Sequence, residues 1–194
     1  MEFYKPEQPK EQLPTRDEMM DNFYKKFFES DEKSVKKISL EQLRELKEKG
    51  ITTEDFLDYL CQKHPFLLHG SIHKITGDKL KSDINKIFAS DKSAIAIMKS
   101  IYSNINVNLG YPYFFDKDNP LVLKIHTPLS GKFISKETGF VYIVSSEGFK
   151  NEPEGSWQFF KETNEVEFDM AVEIEKADFN YPVEFYNDFD LKNK

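Results

Sequence analysis

Residues 66–71, Phe66-Leu67-Leu68-His69-Gly70-Ser71, mark the point at which helical patterning gives way to extended patterning. Pro65 stands directly before them, and a helix does not continue through a proline without a break. The run is short and mostly apolar, and it ends in a Gly-Ser pair that favours a turn. These features predict a short buried strand.

The chain before this strand has helical signals. Met20, Phe23 and Phe27 recur at helical spacing and predict an amphipathic helix over residues 16–30, after a polar, proline-interrupted arm. The stretch from Ser39 to Gln42 is a capping box that begins a second helix. Thr52 or Thr53 caps a third helix, which ends at Pro65. We therefore predict a helical N-terminal region at residues 1–65, with a charged connector at 31–37.

The chain after this strand is mostly extended. Residues 87–89 predict a second apolar strand, and Ser90 or Asp91 then caps a helix over residues 92–103. Further strands are predicted at 121–126 and 140–145, after a long loop at 104–119. From residue 165 to residue 174, apolar and mostly acidic residues alternate and predict one long strand. We therefore predict an α+β fold, with a mixed or antiparallel β-rich part at residues 66–194.

Composition narrows the class of protein. The chain has 194 residues and one cysteine, Cys61, which rules out an intrachain disulfide and a zinc site built on several cysteines. It has no run of ~20 apolar residues that could span a membrane and no signal-peptide layout at its start, so we expect a cytoplasmic protein or one exported without a signal. Only two basic residues are arginines, and this scarcity argues against a dedicated nucleic-acid-binding protein.

Charge is spread unevenly along the chain. The net charge is −7, but residues 66–150 have 11 basic and 7 acidic side chains, whereas residues 151–194 have 4 and 12. A mildly basic middle third suits a small anionic ligand better than a long polyanion. Ordinary surface variation is the other explanation of this asymmetry.

Three segments carry a resemblance to a known family: LLHGS at 67–71, IFASDKSAIAI at 87–97 and GFVYIVSSEGF at 139–149. Together they resemble the front half of the ADP-ribosyltransferase fold. More narrowly, they are similar to a group of small bacterial and phage proteins with an LHGS, VFAS and GYVYV pattern. The resemblance extends over about residues 66–175 and implies an NAD-binding cleft.

The resemblance also implies roles for individual residues. His69 would bond a ribose hydroxyl, Gly70 would let the nicotinamide approach the backbone, Ser90 would orient a catalytic carboxylate, and Tyr102 would stack on the nicotinamide. The implied reaction is ADP-ribosyl transfer to a protein or nucleotide target, or NAD hydrolysis. Its oxocarbenium-like transition state needs a carboxylate near the ribose 2′-hydroxyl.

Two glutamates are candidates for that carboxylate. Glu165 and Glu167 begin the polar face of the predicted long strand, and with His69 they are the predicted catalytic residues. Glu154, shortly before Trp157, is a further candidate by position.

Structural explanations compete with each of these roles. A histidine after an apolar strand is commonly a hydrogen-bonded structural residue, Ser90 is also a helix cap, and an acidic strand face is commonly solvated. His69 and His73 lie roughly 13 Å apart on a strand, too far to share one metal ion, and we predict no metal site. Cys61 and His64 are one helical turn apart on an apolar stripe, which favours a core cysteine over a nucleophile.

Two other functions remain open from the sequence. A non-enzymatic interaction protein would use the helical N-terminal region, with Phe23, Phe27 and Phe28 as a docking face, and the acidic C-terminal third. An RNA-directed transferase of the same fold would need more basic side chains than the β-rich part provides, because both arginines lie outside it.

Overall fold

The computed structural model describes residues 13–28, 36–104, 113–115, 123–126, 133–151 and 158–186. Its helices are α1 (Arg16–Phe28), α2 (Leu40–Lys47), α3 (Thr53–Lys63) and α4 (Ser93–Ile101). Ser39 and Gln42 form the predicted capping box of α2, and Thr52 caps α3 with Asp55 as its reciprocal partner. These caps satisfy backbone amides that have no partner inside a helix. The starts predicted for α2 and α3 are therefore confirmed.

The strands of the described residues form one large sheet and three small ones. The large sheet has seven strands in the order β1-β13-β9-β2-β4-β11-β10. The small sheets pair β12 with β3, β5 with β8, and β14 and β6 with β7. The strands are β1 (Lys36–Ile38), β2 (Phe66–Ser71), β3 (Lys79–Lys81), β4 (Ile87–Ser90), β5 (Tyr102–Asn104), β6 (Tyr113–Phe115), β7 (Leu123–His126), β8 (Phe133–Ser135), β9 (Thr138–Ser145), β10 (Lys150–Asn151), β11 (Gln158–Lys161), β12 (Glu165–Glu167), β13 (Met170–Glu175) and β14 (Val183–Tyr186).

One face of the large sheet is covered by the helices. Leu68 on β2, Ile143 on β9 and Val172 on β13 share a buried cluster with residues from all four helices, which we call the helical face. The cluster mixes residues before and after position 65, so the N-terminal helices and the sheet share one core. The predicted α+β class is confirmed, with parallel pairing of β1 with β13 making the sheet mixed.

Two glycines let α4 lie unusually close to the sheet. A Cβ placed on Gly70 would meet the carbonyl oxygen of Ala96 at 2.0 Å, and one placed on Gly139 would meet that of Ser100 at 1.8 Å. Real Cβ atoms are not found at such distances, so only glycine fits at both positions with α4 where it lies.

The other face of the large sheet has its own smaller cluster, and we call it the open face. Leu67, Ala89, Tyr142 and Val144 lie there, together with Phe168 from the segment before β13. The loop between β2 and β3 is tied to this face through Tyr142, whose hydroxyl accepts a hydrogen bond from the Ile75 amide and donates one to a backbone carbonyl.

Four predicted elements differ from the structure. In the predicted connector at 31–37, residues 36 and 37 belong to β1, and in the predicted loop at 104–119, residues 113–115 form β6. Residues 31–35, 105–112 and 116–119 lie outside the described residues. The predicted cap of α4 is wrong, because its N-cap is Lys92 without a side-chain cap bond. The predicted long strand is two strands: β12 pairs with β3 outside the large sheet, and β13 lies inside it, with a break between Glu167 and Met170.

A charge network around one buried carboxylate ties the helices to the end of β13. Asp178 lies in a 3-10 turn after that strand, and its side chain is 3% exposed. Lys47 of α2 and the hydroxyl of Thr53 both donate to its Oδ1 atom at 2.7 Å. Lys47 also contacts Glu175 at 2.7 Å. Because every buried charge here has a partner, the network is a structural clasp.

Candidate functional site

His69 lies on β2 and makes a structural hydrogen bond. Its Nδ1 atom is 2.7 Å from the carbonyl oxygen of Phe88 on β4. A carbonyl can only accept, so Nδ1 donates, and the imidazole links two strands at the point where their backbone pairing ends. Burial lowers the pKa of His69 below its ordinary value, an effect that this hydrogen bond opposes. Burial therefore favours the neutral form of this imidazole.

Gly70 faces α4. Its neighbour Leu68 belongs to the helical face, and strand alternation puts Gly70 on that same face. The carbonyl of Ala96 occupies the space in front of it. Contact with α4 therefore accounts for the glycine.

Ser90 is the last residue of β4 and lies on the helical face. It pairs directly with Leu68, so the two side chains lie on one face of the sheet, and Ser90 is 3% exposed. Its Oγ accepts a hydrogen bond from the Lys92 amide at 3.1 Å, and Asp58 of α3 accepts one from the Ser93 amide at 3.2 Å. Ser90 and Asp58 thus satisfy the first amides of a helix that lacks an ordinary cap.

Tyr102 is a core residue at the end of α4. It is 7% exposed, and its ring meets the ring of Phe179 edge-on at 6.1 Å. Its backbone begins β5. The structure therefore places this ring inside the helical face.

Glu165 and Glu167 lie on β12, which is paired with β3. Lys79 donates to the carboxylate of Glu165 at 2.6 Å and lies 4.0 Å from that of Glu167. The hydrogen bond from Lys79 lowers the pKa of Glu165. Both carboxylates are exposed, with 52% and 78% of their side chains open to solvent. Glu154 lies outside the described residues.

The predicted site residues do not meet in one hollow. His69 alternates with Leu68 along β2, so its side chain leaves the sheet on the open face, whereas Ser90 and Gly70 lie on the helical face. The expectation that the imidazole of His69 and the hydroxyl of Ser90 face a shared space is therefore wrong for this fold. The assignment of these residues and of Glu165 and Glu167 to NAD chemistry stays a prediction.

A different hollow lies on the open face, and we call it the sheet hollow. It has a volume of about 310 Å³, at the lower end of the range for small-molecule sites. Two rows of paired residues form its floor. Lys37 on β1, Ala171 on β13 and Tyr142 on β9 make the first row, and Glu173 and Phe140 make the second. Ala171 lies between two larger residues, and its small side chain leaves the space that forms the hollow.

The walls of the sheet hollow come from three further segments. Lys74 and Ile75 belong to the loop that Tyr142 holds, and Phe168 precedes β13. Gln42 stands at the start of α2, where its side-chain oxygen accepts the Ser39 amide at 2.8 Å. The NH₂ group of Gln42 is therefore the part left to donate to a ligand.

The lining of the sheet hollow has a basic excess. Lys37 and Lys74 are exposed and Glu173 is half-buried. With respect to the described residues, neither lysine forms an ion pair, and the ammonium of Lys74 lies 6.0 Å from the centre of the Phe140 ring. The sequence patterns did not single out Lys37, Lys74, Phe140 or Glu173. The one available signal was Ala171, the only non-acidic residue on the polar face of the predicted long strand.

Two other sequence candidates have structural explanations. Burial raises the pKa of the Cys61 thiol to about 12, so a reactive thiolate is disfavoured. On α1, Met20 and Phe23 are buried, and Phe27 and Phe28 pack against the same core. The apolar face of α1 therefore packs against its own protein, and a docking role for the helical N-terminal region stays a prediction.

Two further properties of the described residues concern metals and membranes. No group of three or more histidine, cysteine, aspartate or glutamate side chains there could hold a metal ion. Within the same residues, no helix has the length and apolar character needed to cross a bilayer.

Comparisons with known proteins add no relative. Neither the protein-family models, nor the curated proteins, nor the solved structures contain a match to this chain.

Proposed function

We propose that this chain is a small-molecule binding protein, that the sheet hollow is its site, and that its ligand is a compact anion with a planar apolar body. The observation that carries the proposal is the pair of lysines, Lys37 and Lys74, which lie without an ion-pair partner among the described residues beside an aromatic floor. Lysine ammonium groups favour an anion, and the rings of Phe140 and Tyr142 favour a flat apolar group.

The charge of the whole protein makes this local excess informative. The net charge is −7, so nonspecific attraction of anions is unfavourable over most of the surface. A concave site with two lysines would be a local exception. Exposed lysines contribute little individually, and the apolar floor must supply most of the affinity. At about −0.5 kcal/mol per non-hydrogen atom, a ligand of about ten atoms binds with a Kd on the order of 0.2 mM.

NAD binding and ADP-ribosyl transfer stay predictions from the sequence resemblance. The described geometry gives them no support, since His69 and Ser90 lie on opposite faces and the rings of Tyr102 and Phe179 pack together in the core. NAD nevertheless belongs among the test ligands, because it is anionic and contains planar rings.

The test is a titration of the ¹⁵N-labelled full chain, followed by two-dimensional NMR. Benzoate, inorganic phosphate, AMP and NAD are added separately. We expect benzoate to shift saturably the amides of residues that line the sheet hollow, and phosphate alone to shift them little. NAD would support the resemblance only if its shifts included His69 and Ser90.

A double variant gives the control. Replacing Lys37 and Lys74 with glutamine should weaken benzoate binding about fivefold, whereas Lys49→Gln, an exposed lysine outside the hollow, should leave it unchanged. Saturable shifts elsewhere in the protein, or none with any of the four ligands at millimolar concentration, would refute the proposal.

A further inference from the structure

We infer that the ligand of the sheet hollow is a zwitterion, an α-amino acid with an apolar side chain, so that Glu173 binds its ammonium while a lysine binds its carboxylate. This inference rests on the proposed site; it keeps the anionic group and the apolar body of the proposed ligand and adds an ammonium group. The reason for it is the carboxylate of Glu173, which would have no partner if the ligand were a simple anion. Glu173 is half-buried in the floor of a site whose other charged groups are lysines.

Glu173 and Lys37 line the same hollow without pairing. Lys37 is in register with Ala171, and Glu173 lies two residues further along β13 on the same face. Neighbouring strands are about 4.8 Å apart and two residues span about 6.6 Å, so the backbones at Lys37 and Glu173 are roughly 8 Å apart on the diagonal. No ion pair joins these two described side chains, although both are long enough to approach one another.

A zwitterion fits between such charges. Two charge-assisted hydrogen bonds of about 2.8 Å each, in series with the short separation between an ammonium and its carboxylate, need roughly 8 Å between the Lys37 ammonium and the Glu173 carboxylate. Two flexible side chains on backbones that are themselves roughly 8 Å apart can adopt that separation. The side chain of the amino acid then lies against Phe140, Ile75 and Phe168, which form the apolar part of the lining. All three features of the ligand therefore meet a matching group.

The carboxylate of Glu173 lowers the affinity of the hollow for ligands that are purely anionic. A phosphate or a nucleotide carries more negative charge and no ammonium, so Glu173 would repel it. Specificity of this kind comes from an unfavourable contact with the wrong ligand as well as a favourable one with the right ligand. The inference thus places nucleotides below amino acids in affinity.

Two matched probes test whether the ligand is a zwitterion. L-Phenylalanine and 3-phenylpropionate have the same ring and carboxylate, and only the first has the amine. We expect L-phenylalanine to bind the unmodified full chain about fivefold more tightly, as for a partly exposed ion pair. Phenethylamine, which has the amine without the carboxylate, should bind more weakly than L-phenylalanine.

Glu173→Gln assigns the difference to one side chain. It should remove the preference for L-phenylalanine while 3-phenylpropionate binds at least as well as before, and its amide spectrum should show that the fold is kept. Glu162→Gln, an exposed glutamate outside the hollow, should preserve the preference.

The outcomes separate the two proposals. Equal affinity for L-phenylalanine and 3-phenylpropionate at the sheet hollow would overturn the zwitterion and leave the anion site standing. A preference that survives in Glu173→Gln, or phenethylamine binding as tightly as L-phenylalanine, would also overturn it. If no probe shifts the lining residues, the site itself is refuted.

Discussion

Replacing Gly70 with alanine tests whether this glycine serves helix packing or ligand approach. In the structure, the added Cβ would lie 2.0 Å from the carbonyl oxygen of Ala96 and 2.9 Å from the Cβ of Lys99. The first contact is with backbone, which cannot rotate away as a side-chain end can. We therefore expect Gly70→Ala to displace α4 from the sheet.

The magnitude follows from the distance that α4 must move. Ordinary contact begins near 3.4 Å, so the helix must retreat by about 1.4 Å at this point. That retreat loosens Ile97 and Ile101, which are 1% and 0% exposed. Overpacking of a tight core typically costs about 1–3 kcal/mol, and because backbone is involved we expect the upper end, about 3 kcal/mol. The expected fall in Tm is about 6–12 °C for a chain of this size.

The sign of the effect separates the two explanations. If the space in front of Gly70 were an open cleft, alanine would lower the entropy of the unfolded chain and leave stability unchanged or raised by about 0.5 kcal/mol. Urea unfolding followed by circular dichroism measures the difference, with Ser71→Ala on the same strand as the control. Stability equal to or above that of the unmodified chain would refute the packing argument and reopen a ligand role for Gly70.

Three further predictions concern the charge network around Asp178, the loop between β2 and β3, and the half-buried Glu54. Asp178→Asn should lower the free energy of unfolding by about 2 kcal/mol, measured in urea, because Lys47 loses one of its two charged partners in a site only partly open to solvent. Tyr142→Phe should cost about 1–2 kcal/mol and weaken benzoate binding, measured by NMR titration, because its hydroxyl holds the loop that forms one wall of the sheet hollow. Burial raises the pKa of the Glu54 carboxyl, although the hydrogen bond from Tyr181 opposes that rise. The ionised carboxylate therefore destabilises the fold. The stability that protonated Glu54 contributes is lost as the pH rises through its pKa in the folded state. Glu54→Gln should therefore be relatively more stable at pH 7 than at pH 4, and a gain that is equal at both pH values would contradict the raised pKa.

Local signals predicted the four helices of the described residues and the strands β2, β4, β7 and β9, but not most of the shorter strands. A capping box involves residues only three positions apart. The starts of α2 and α3 can therefore be predicted from Ser39, Gln42 and Thr52 without knowledge of the rest of the fold. Likewise, the apolar run at β2 needs only its flanking proline and glycine. Elements of this kind are fixed by interactions along the chain.

Long-range pairing was beyond the sequence patterns. A strand of three residues such as β1 has no periodicity of its own, and it forms because β13 offers it a partner. The alternation from residue 165 to residue 174 is continuous in sequence, but β12 pairs with β3 and β13 with β9. That division moves Glu165 away from the large sheet, and it is why a predicted catalytic pair is found beside Lys79.

The candidate site was missed for the same reason. Its floor combines Lys37 with Ala171, Tyr142 and Phe140, which are distant in sequence and adjacent only through strand register. Periodicity could show that Ala171 and Glu173 share a face, but not which strands lie beside them. Only the topology of the sheet brings a lysine from the N-terminal region to that face.

Two of the segments that carry the resemblance, LLHGS at 67–71 and IFAS at 87–90, have a structural explanation that does not require a nucleotide. Gly70 is needed because α4 approaches the sheet, His69 bonds the carbonyl of Phe88 where the two strands stop pairing, and Ser90 satisfies an amide of the uncapped α4. Each residue type is therefore accounted for by a local packing or hydrogen-bonding demand of a strand-to-helix junction. Any fold that lays a helix directly on two strands faces the same demands, so a likeness in these segments alone cannot separate shared chemistry from shared geometry. A ligand role for them needs an observation that packing does not already explain, such as saturable NAD shifts at His69 and Ser90 together.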